Sequence, residues 1–213
     1  MTRILVFGDS IEYGAWDIEG GWVQRLRNFL DKRIFDSNFE DYFVLYNLGV
    51  SGDTAADIIK RFESETKARI KPDEGDIVII ISVGGNDSVF VHETKTTDFT
   101  PEEFKNNLEK IINLARKYSD KIVLKGEIPV DESKADPIPW SPGYSYKEKH
   151  TKEFNDIIKS VAKENNVYFI DVYEKFEKAD YKKLLADGCH PTAEGHELIF
   201  NIVKDYLVEN KIL

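Results

Sequence analysis

One cysteine, Cys189, is all that this chain of 213 residues contains. That excludes an internal disulfide and a small scaffold held together by bridges. No uninterrupted apolar run approaches the roughly 20 residues needed to cross a bilayer. Strand-like sequence begins at Arg3, leaving no room for a basic segment, an apolar core and a cleavage site, so the expectation is a soluble, cytoplasmic protein without a signal peptide. Cationic excess is missing as well: 29 Lys and Arg stand against 39 Asp and Glu, for a formal net charge of -10. This disfavours nucleic acid as a partner and any stable association with anionic membranes. Neither a spaced-glycine dinucleotide fingerprint nor a phosphate-binding lysine loop occurs, which argues against a nucleotide cofactor. Repeats, low-complexity tracts and linkers are also absent. With 41% hydrophobic residues, the chain suits one compact domain spanning 1–213.

What is present alternates between two periods. Ile4-Leu5-Val6-Phe7 is an apolar run long enough for a buried strand, and Gly8, Asp9 and Ser10 end it. A glycine-rich connector holding Trp16 follows, then a helix with Trp22, Leu26, Phe29 and Leu30 at helical spacing. Residues 42–48 read as a second strand running into Gly49-Val50-Ser51-Gly52, and Asp53 or Thr54 can cap the next helix. A turn is expected at Pro72-Asp73-Glu74-Gly75. Beyond it, the five consecutive aliphatics Ile77 to Ile81 require a strand covered on both faces, as in the centre of a parallel sheet. Thr100-Pro101-Glu102-Glu103 carries the signature of a capped helix start, and that helix is expected to run to about Tyr118. Further strands are expected at 121–125 and 167–171, with helices at about 147–164 and after Thr192. Strands alternating with helices give an α/β domain with a mostly parallel sheet and right-handed crossovers.

Three strands end in glycine-bearing loops at what would be one end of that sheet, where ligands of open α/β folds bind. A hydroxyl nucleophile needs a base, a carboxylate to orient the base, and donors for the developing oxyanion. Ser10, one step past the first strand, supplies the hydroxyl. Of four histidines, His190 alone has a carboxylate three residues earlier, Asp187, on a loop broken by Gly188 and closed by Pro191. Metal ligation is the competing thought for this segment, but one His, one Asp and one Cys fall short of a convincing site, so no metal is expected. Cys189 is expected to be a spectator, because a residue adjacent to the base points its side chain elsewhere in most backbone geometries.

At these positions the sequence resembles the GDSL or SGNH hydrolases, a family of serine esterases and lipases. Gly8-Asp9-Ser10-Ile11 is similar to the family's nucleophile block and Asn47 to Gly52 to its glycine block. Gly84-Gly85-Asn86-Asp87 is similar to the asparagine block, and Asp187 through His190 to the block carrying acid and base. The resemblance covers nearly the whole chain. It implies a flavodoxin-like three-layer α/β/α sandwich with a five-stranded parallel sheet in the order 2-1-3-4-5. It also implies Ser10 as nucleophile, His190 as base, Asp187 as its orienter, and an oxyanion hole made of the Ser10 and Gly52 N–H groups and the Asn86 amide. The glycine-x-serine-x-glycine elbow of the α/β-hydrolases is absent, since Glu12 stands at its last position. Glu12 also replaces the small hydroxyl residue common in relatives, where it can orient the loop or shape the substrate entrance.

The expected reaction is hydrolysis of a small-molecule carboxylic ester through an acyl-enzyme, with no cofactor, as in a short-chain or carbohydrate O-acetyl esterase. A lysophospholipase, a thioesterase or an acyltransferase would use the same residues, and a noncatalytic carbohydrate- or acyl-binding domain is the rival of another class. Asp9, Glu12, Trp140 and Tyr144 are the candidates for substrate contact. The last two lie on a long proline-bearing segment, residues 126–146, which follows the fourth strand and is expected to wall a partly covered pocket with a polar rim.

Overall fold

The structure, a computed structural model, describes residues 1–71 and 75–213. The turn expected at Pro72-Asp73-Glu74 lies outside those residues. Five parallel strands, β1 (Thr2–Gly8), β2 (Phe43–Gly49), β3 (Asp76–Ile81), β4 (Lys121–Lys125) and β5 (Tyr168–Ile170), form one sheet in the order β2-β1-β3-β4-β5. This is the order the resemblance implies. β1 lies in the interior of the sheet, between β2 and β3, with its side chains buried on both faces: Ile4 and Val6 join one apolar cluster, Leu5 and Phe7 the other.

On the first face lie α2 (Gly21–Asp36), the short α7 (Val172–Glu177) and α8 (Ala193–Glu209), contributing Trp22, Leu26, Leu30, Phe176, Ile199, Val203 and Leu207. The second face is covered by α3 (Ala55–Arg69), α4 (Pro101–Ala115) and α6 (Glu148–Glu164), with Ile58, Phe62, Phe104, Leu108, Phe154 and Ile158. Each such side chain, fully withdrawn from water, stabilises the fold by about 1.5–3 kcal/mol. The alternation of aliphatic side chains along a doubly covered strand thus builds the three layers. Thr54, Thr100 and Thr192 cap α3, α4 and α8, so Asp53, the other candidate cap for α3, is free to pair with Arg61. α4 stops three residues short of Tyr118, in a turn closed by the Arg116 N–H donating to Ile112 O and the Tyr118 N–H to Ala115 O. Among the described residues no helix is long and apolar enough to cross a membrane.

Two pieces of structure are not legible in the sequence. The connector after β1 contains a one-turn helix, α1 (Ser10–Tyr13), capped by Asp9 and ended by Gly14 in the left-handed region. The long segment after β4 folds into a short helix, α5 (Glu132–Ala135), and a two-residue strand, Tyr144–Ser145. That strand pairs antiparallel with Phe90–Val91, which also pairs with Thr96–Thr97, making a small second sheet. Such short strands carry too few residues to show a period.

Candidate active site

The carboxyl ends of β1, β2 and β3 carry the three glycine loops to one place. Gly8 and Gly49 are register partners on adjacent strands, and α1 passes so close over Gly49 that a Cβ there would lie 2.3 Å from the Tyr13 nitrogen. Only glycine fits. The loop after β2 is tied to β1 twice: Val50 N–H donates to Gly8 O at 3.0 Å, and Arg61 reaches both Asp53 Oδ2 at 2.6 Å and Gly8 O at 3.2 Å. Asp87, from the loop after β3, accepts the Ala55 N–H at the start of α3. These bonds hold Gly52 and Asn86 beside Ser10.

Ser10 Oγ lies 2.9 Å from His190 Nε2, and His190 Nδ1 lies 2.7 Å from Asp187 Oδ2. Burial pushes the Asp187 carboxyl up, but hydrogen bonds from the His190 ring, the His190 N–H and the Cys189 N–H outweigh it and hold the group well below the ordinary range. Asp187 is therefore an acceptor only, which places the imidazole proton on Nδ1 and leaves Nε2 to accept from the serine hydroxyl. Ser10 is the first residue of α1, where a helix N–H has no partner within the helix. Gly52 takes φ +87 with open space around it, and among the described residues its N–H has no acceptor. Asn86 Nδ2 donates to Asp53 O at 2.9 Å and, less closely, to Asp9 Oδ2 at 3.3 Å, while Asn86 Oδ1 accepts from Tyr146 OH at 2.9 Å. The Asp53 carbonyl fixes which way the amide faces, since a flip would set the amide oxygen against it.

Beneath the serine the protein buries charge. Glu12 is wholly buried; its carboxylate accepts the Trp22 indole N–H at 3.1 Å and the Asp9 N–H at 3.3 Å, and lies 3.5 Å from Lys125 Nζ. Glu12 thus orients the loop and is removed from the substrate entrance. Two further acids, Asp9 and Glu127, share this region with the one lysine. Burial and the proximity of Glu12 and Glu127 push Asp9 well above the ordinary range, and burial raises Glu127 to about 7. The two aspartates that flank Ser10 are consequently driven in opposite directions, Asp9 toward the neutral acid and Asp187 toward the carboxylate.

Ser10 stands between two cavities. The inner one, about 20 Å³, is lined by Asp9, Ile11, Ile128, Val130, Tyr146 and Cys189 among others. The outer is an open cleft of about 1050 Å³ lined by Tyr13, Trp16, Ile18, Gly52, Asn86, Trp140 and Tyr146. Two indoles stand among its polar lining residues Asp17 and Ser51: Trp16 and Trp140 are 64% and 54% exposed, and each ring centroid lies 5.6 Å from that of His190. Of the substrate-contact candidates, Trp140 lines the cleft and Asp9 the inner cavity. Tyr144 lines neither, because its short strand turns it outward. Tyr146, two residues on, lines both.

The Cys189 side chain does not point away from His190: Sγ lies 3.4 Å from both His190 Nδ1 and Asp187 Oδ1. Burial and the neighbouring Asp187 push its thiol far up, so it is a neutral donor on the side of the imidazole remote from Ser10. Asp187, Cys189 and His190 form a compact set of possible metal ligands, but a metal ion there would displace the Nδ1 proton on which the Asp187 bond depends. Trp16 was not expected at the site. Its indole Nε1 lies 2.6 Å from Asp187 Oδ2, a contact across 171 residues that no local pattern announces.

The model of the GDSL-like lipase/acylhydrolase family matches residues 6–198. The uncharacterized lipoprotein YqeF of Bacillus subtilis (strain 168) is 25% identical over 225 residues, covering 95% of this chain and 88% of that protein. The crystal structure of a lipase/acylhydrolase from Enterococcus faecalis superposes with TM-score 0.75 at 25% identity, covering 97% of this chain and 95% of that one. Axe2, an acetylxylan esterase from Geobacillus stearothermophilus, shares the fold with TM-score 0.69 at 20% identity, covering 97% and 93%.

Proposed function

Since the chain belongs to the GDSL-like lipase/acylhydrolase family, we propose that this hydrolase is a serine esterase that cleaves short-chain carboxylic esters, acetyl esters above all, through an acyl-enzyme. The observation that carries this reading is the continuous chain from Ser10 Oγ through the His190 ring to Asp187, at 2.9 and 2.7 Å. In it, His190 Nε2 takes the hydroxyl proton as Ser10 Oγ attacks the ester carbonyl, and the imidazolium is held by Asp187. The carbonyl oxygen becomes an oxyanion facing the Ser10 and Gly52 N–H groups. Asn86 gives up its longer bond to Asp9 and becomes the third donor. Collapse expels the alcohol with the proton from His190. Water, deprotonated by the same nitrogen, then releases the acid.

The inner cavity supports a short acyl group, because about 20 Å³ has room for roughly one water-sized group, which an acetyl methyl matches. The open aromatic cleft takes the alcohol moiety, for which the apolar faces of Trp16 and Trp140 suit a ring such as a sugar. The test is a series of p-nitrophenyl esters and acetylated sugars assayed beside Ser10→Ala. Acetyl and butyryl esters should turn over much faster than chains of about ten carbons or more, and folded Ser10→Ala should lose at least about 10⁴-fold in kcat. Activity surviving in that variant would remove Ser10 from the mechanism. Equal turnover of long chains or lysophospholipids would move the assignment to a lipase.

A further inference from the structure

Trp16 combines three properties seldom found together. Its backbone sits at φ +66, a left-handed region that strains a bulky residue. Its ring is largely exposed, so burial of the side chain does not explain the strain. Its neighbours are nevertheless anchored on both sides. The Ala15 carbonyl accepts from buried His196 Nε2 at 3.2 Å, and the Asp17 carboxylate accepts the Gly21 N–H at 3.1 Å and pairs with Arg25. The surrounding structure therefore enforces a conformation that presents one polar atom, Nε1, to Asp187 Oδ2 at 2.6 Å.

Among the described residues, every other donor to Asp187 comes from its own loop: the Cys189 N–H and thiol and the His190 N–H and ring. Trp16 reaches it from elsewhere, from the connector that begins with Ser10. We propose that Trp16 is a positioning residue for the triad: its indole N–H pins the Asp187 carboxylate to the nucleophile loop and fixes the orientation in which Asp187 holds His190. This rests on the serine-hydrolase reading. Donation by the indole also spreads the negative charge of Asp187, so the imidazolium of His190 is stabilised less than it would be by a carboxylate facing it alone.

The substitution Trp16→Phe keeps an aromatic wall and removes the N–H. The midpoint of the His190 ring titration, followed by NMR, should then rise by about 1 pH unit, the ~10-fold change in proton affinity expected from loss of one charge-assisted hydrogen bond. The acid limb of kcat/KM should move up by the same amount. The other ionisable groups lining the inner cavity, Asp9, Glu127, Tyr146 and Cys189, are untouched by the change, and Trp140→Phe should leave the His190 midpoint in place. A wall without a positioning role predicts an altered KM with the midpoint and the acid limb unmoved, and that result overturns the proposal. Should Trp16→Phe fail to fold, the native protein still decides. Its Trp16 indole proton should be shifted downfield and protected from exchange despite the exposed ring, and a freely exchanging proton overturns the proposal. The NMR midpoint can be read in a Ser10→Ala background, so failure of the serine reading is distinguishable from failure of this one.

Discussion

Below Ser10 the chain buries ionised and hydrogen-bonding groups, Glu12, Lys125, Glu127, Asp9 and Asp87, in places where apolar side chains would ordinarily sit. Above it the chain exposes large apolar rings, Trp16 and Trp140, where charged groups would ordinarily sit. Both arrangements are costly, and the costs fall on different properties. A buried charge must keep its partners, so the floor is rigid and any change to it is felt in folding and in the placing of Ser10. An exposed ring needs few partners, so the rim can be altered at little cost to stability while changing what enters the cleft.

The contrast is most sharply tested at Glu12. Glu12→Ala removes the acceptor for the Trp22 indole and the Asp9 N–H and the carboxylate nearest Lys125. It should lower stability in denaturant unfolding by about 3–5 kcal/mol. Glu12→Gln, which keeps an acceptor, should cost less. If Glu12→Ala unfolds no more readily than the parent, the floor is not held by its charges.

Asn86 joins floor to site, and its effect is expected on the reaction. Asn86→Ala should lower kcat by roughly 10²–10³, about 3–4 kcal/mol, with KM little changed. A rise in KM at constant kcat would make Asn86 part of the substrate-binding wall.

At the rim, where the alcohol moiety would lie, Trp140→Ala should shift the ratio of acetylated-sugar to p-nitrophenyl acetate turnover by about tenfold while moving stability by no more than about 0.5 kcal/mol. Stability loss exceeding the change in selectivity would place Trp140 among packing residues and make rim and floor alike.

The smallest effect concerns pH. Burial raises Asp87 from 3.8 to about 7, so between those values the folded state binds a proton that the unfolded state has released. The stabilisation from this group is complete below about 4 and is lost progressively as pH rises through 7. Asp87→Asn keeps an acceptor for Ala55 N–H and should flatten the fall of the unfolding midpoint between pH 5 and 8, as read by thermal melts. An unchanged slope would assign that fall to Glu127 instead.

Much of the fold was legible in the sequence because strands and helix starts are written in neighbouring residues. Ile77 to Ile81 require a doubly covered strand, and Thr100, Pro101 and Glu103 close a capping box within four positions. The four motif blocks likewise pointed to Ser10, Asn86 and His190 as members of one site, since each lies just beyond a strand or in a short glycine-bearing loop. Side-chain direction was not written there. Tyr144 and Tyr146 are indistinguishable in composition, yet pairing of residues 144–145 with 90–91 leaves the first exposed and carries the second to Asn86. Glu12 could orient the loop or shape the entrance as far as the sequence goes, and α2 bringing Trp22, and β4 bringing Lys125, against it decide for the first. Cys189 was expected to turn from His190, and the positive φ of Gly188 belongs to a turn that folds it back. Trp16 meets Asp187 only because the sheet brings the first loop and the last together. The sequence determined which residues were available and which local structure each segment takes, because those depend on near neighbours. The tertiary structure decided which polar atoms meet, because a buried or strained group takes its partner from whatever segment the packing of the sheet and helices sets beside it.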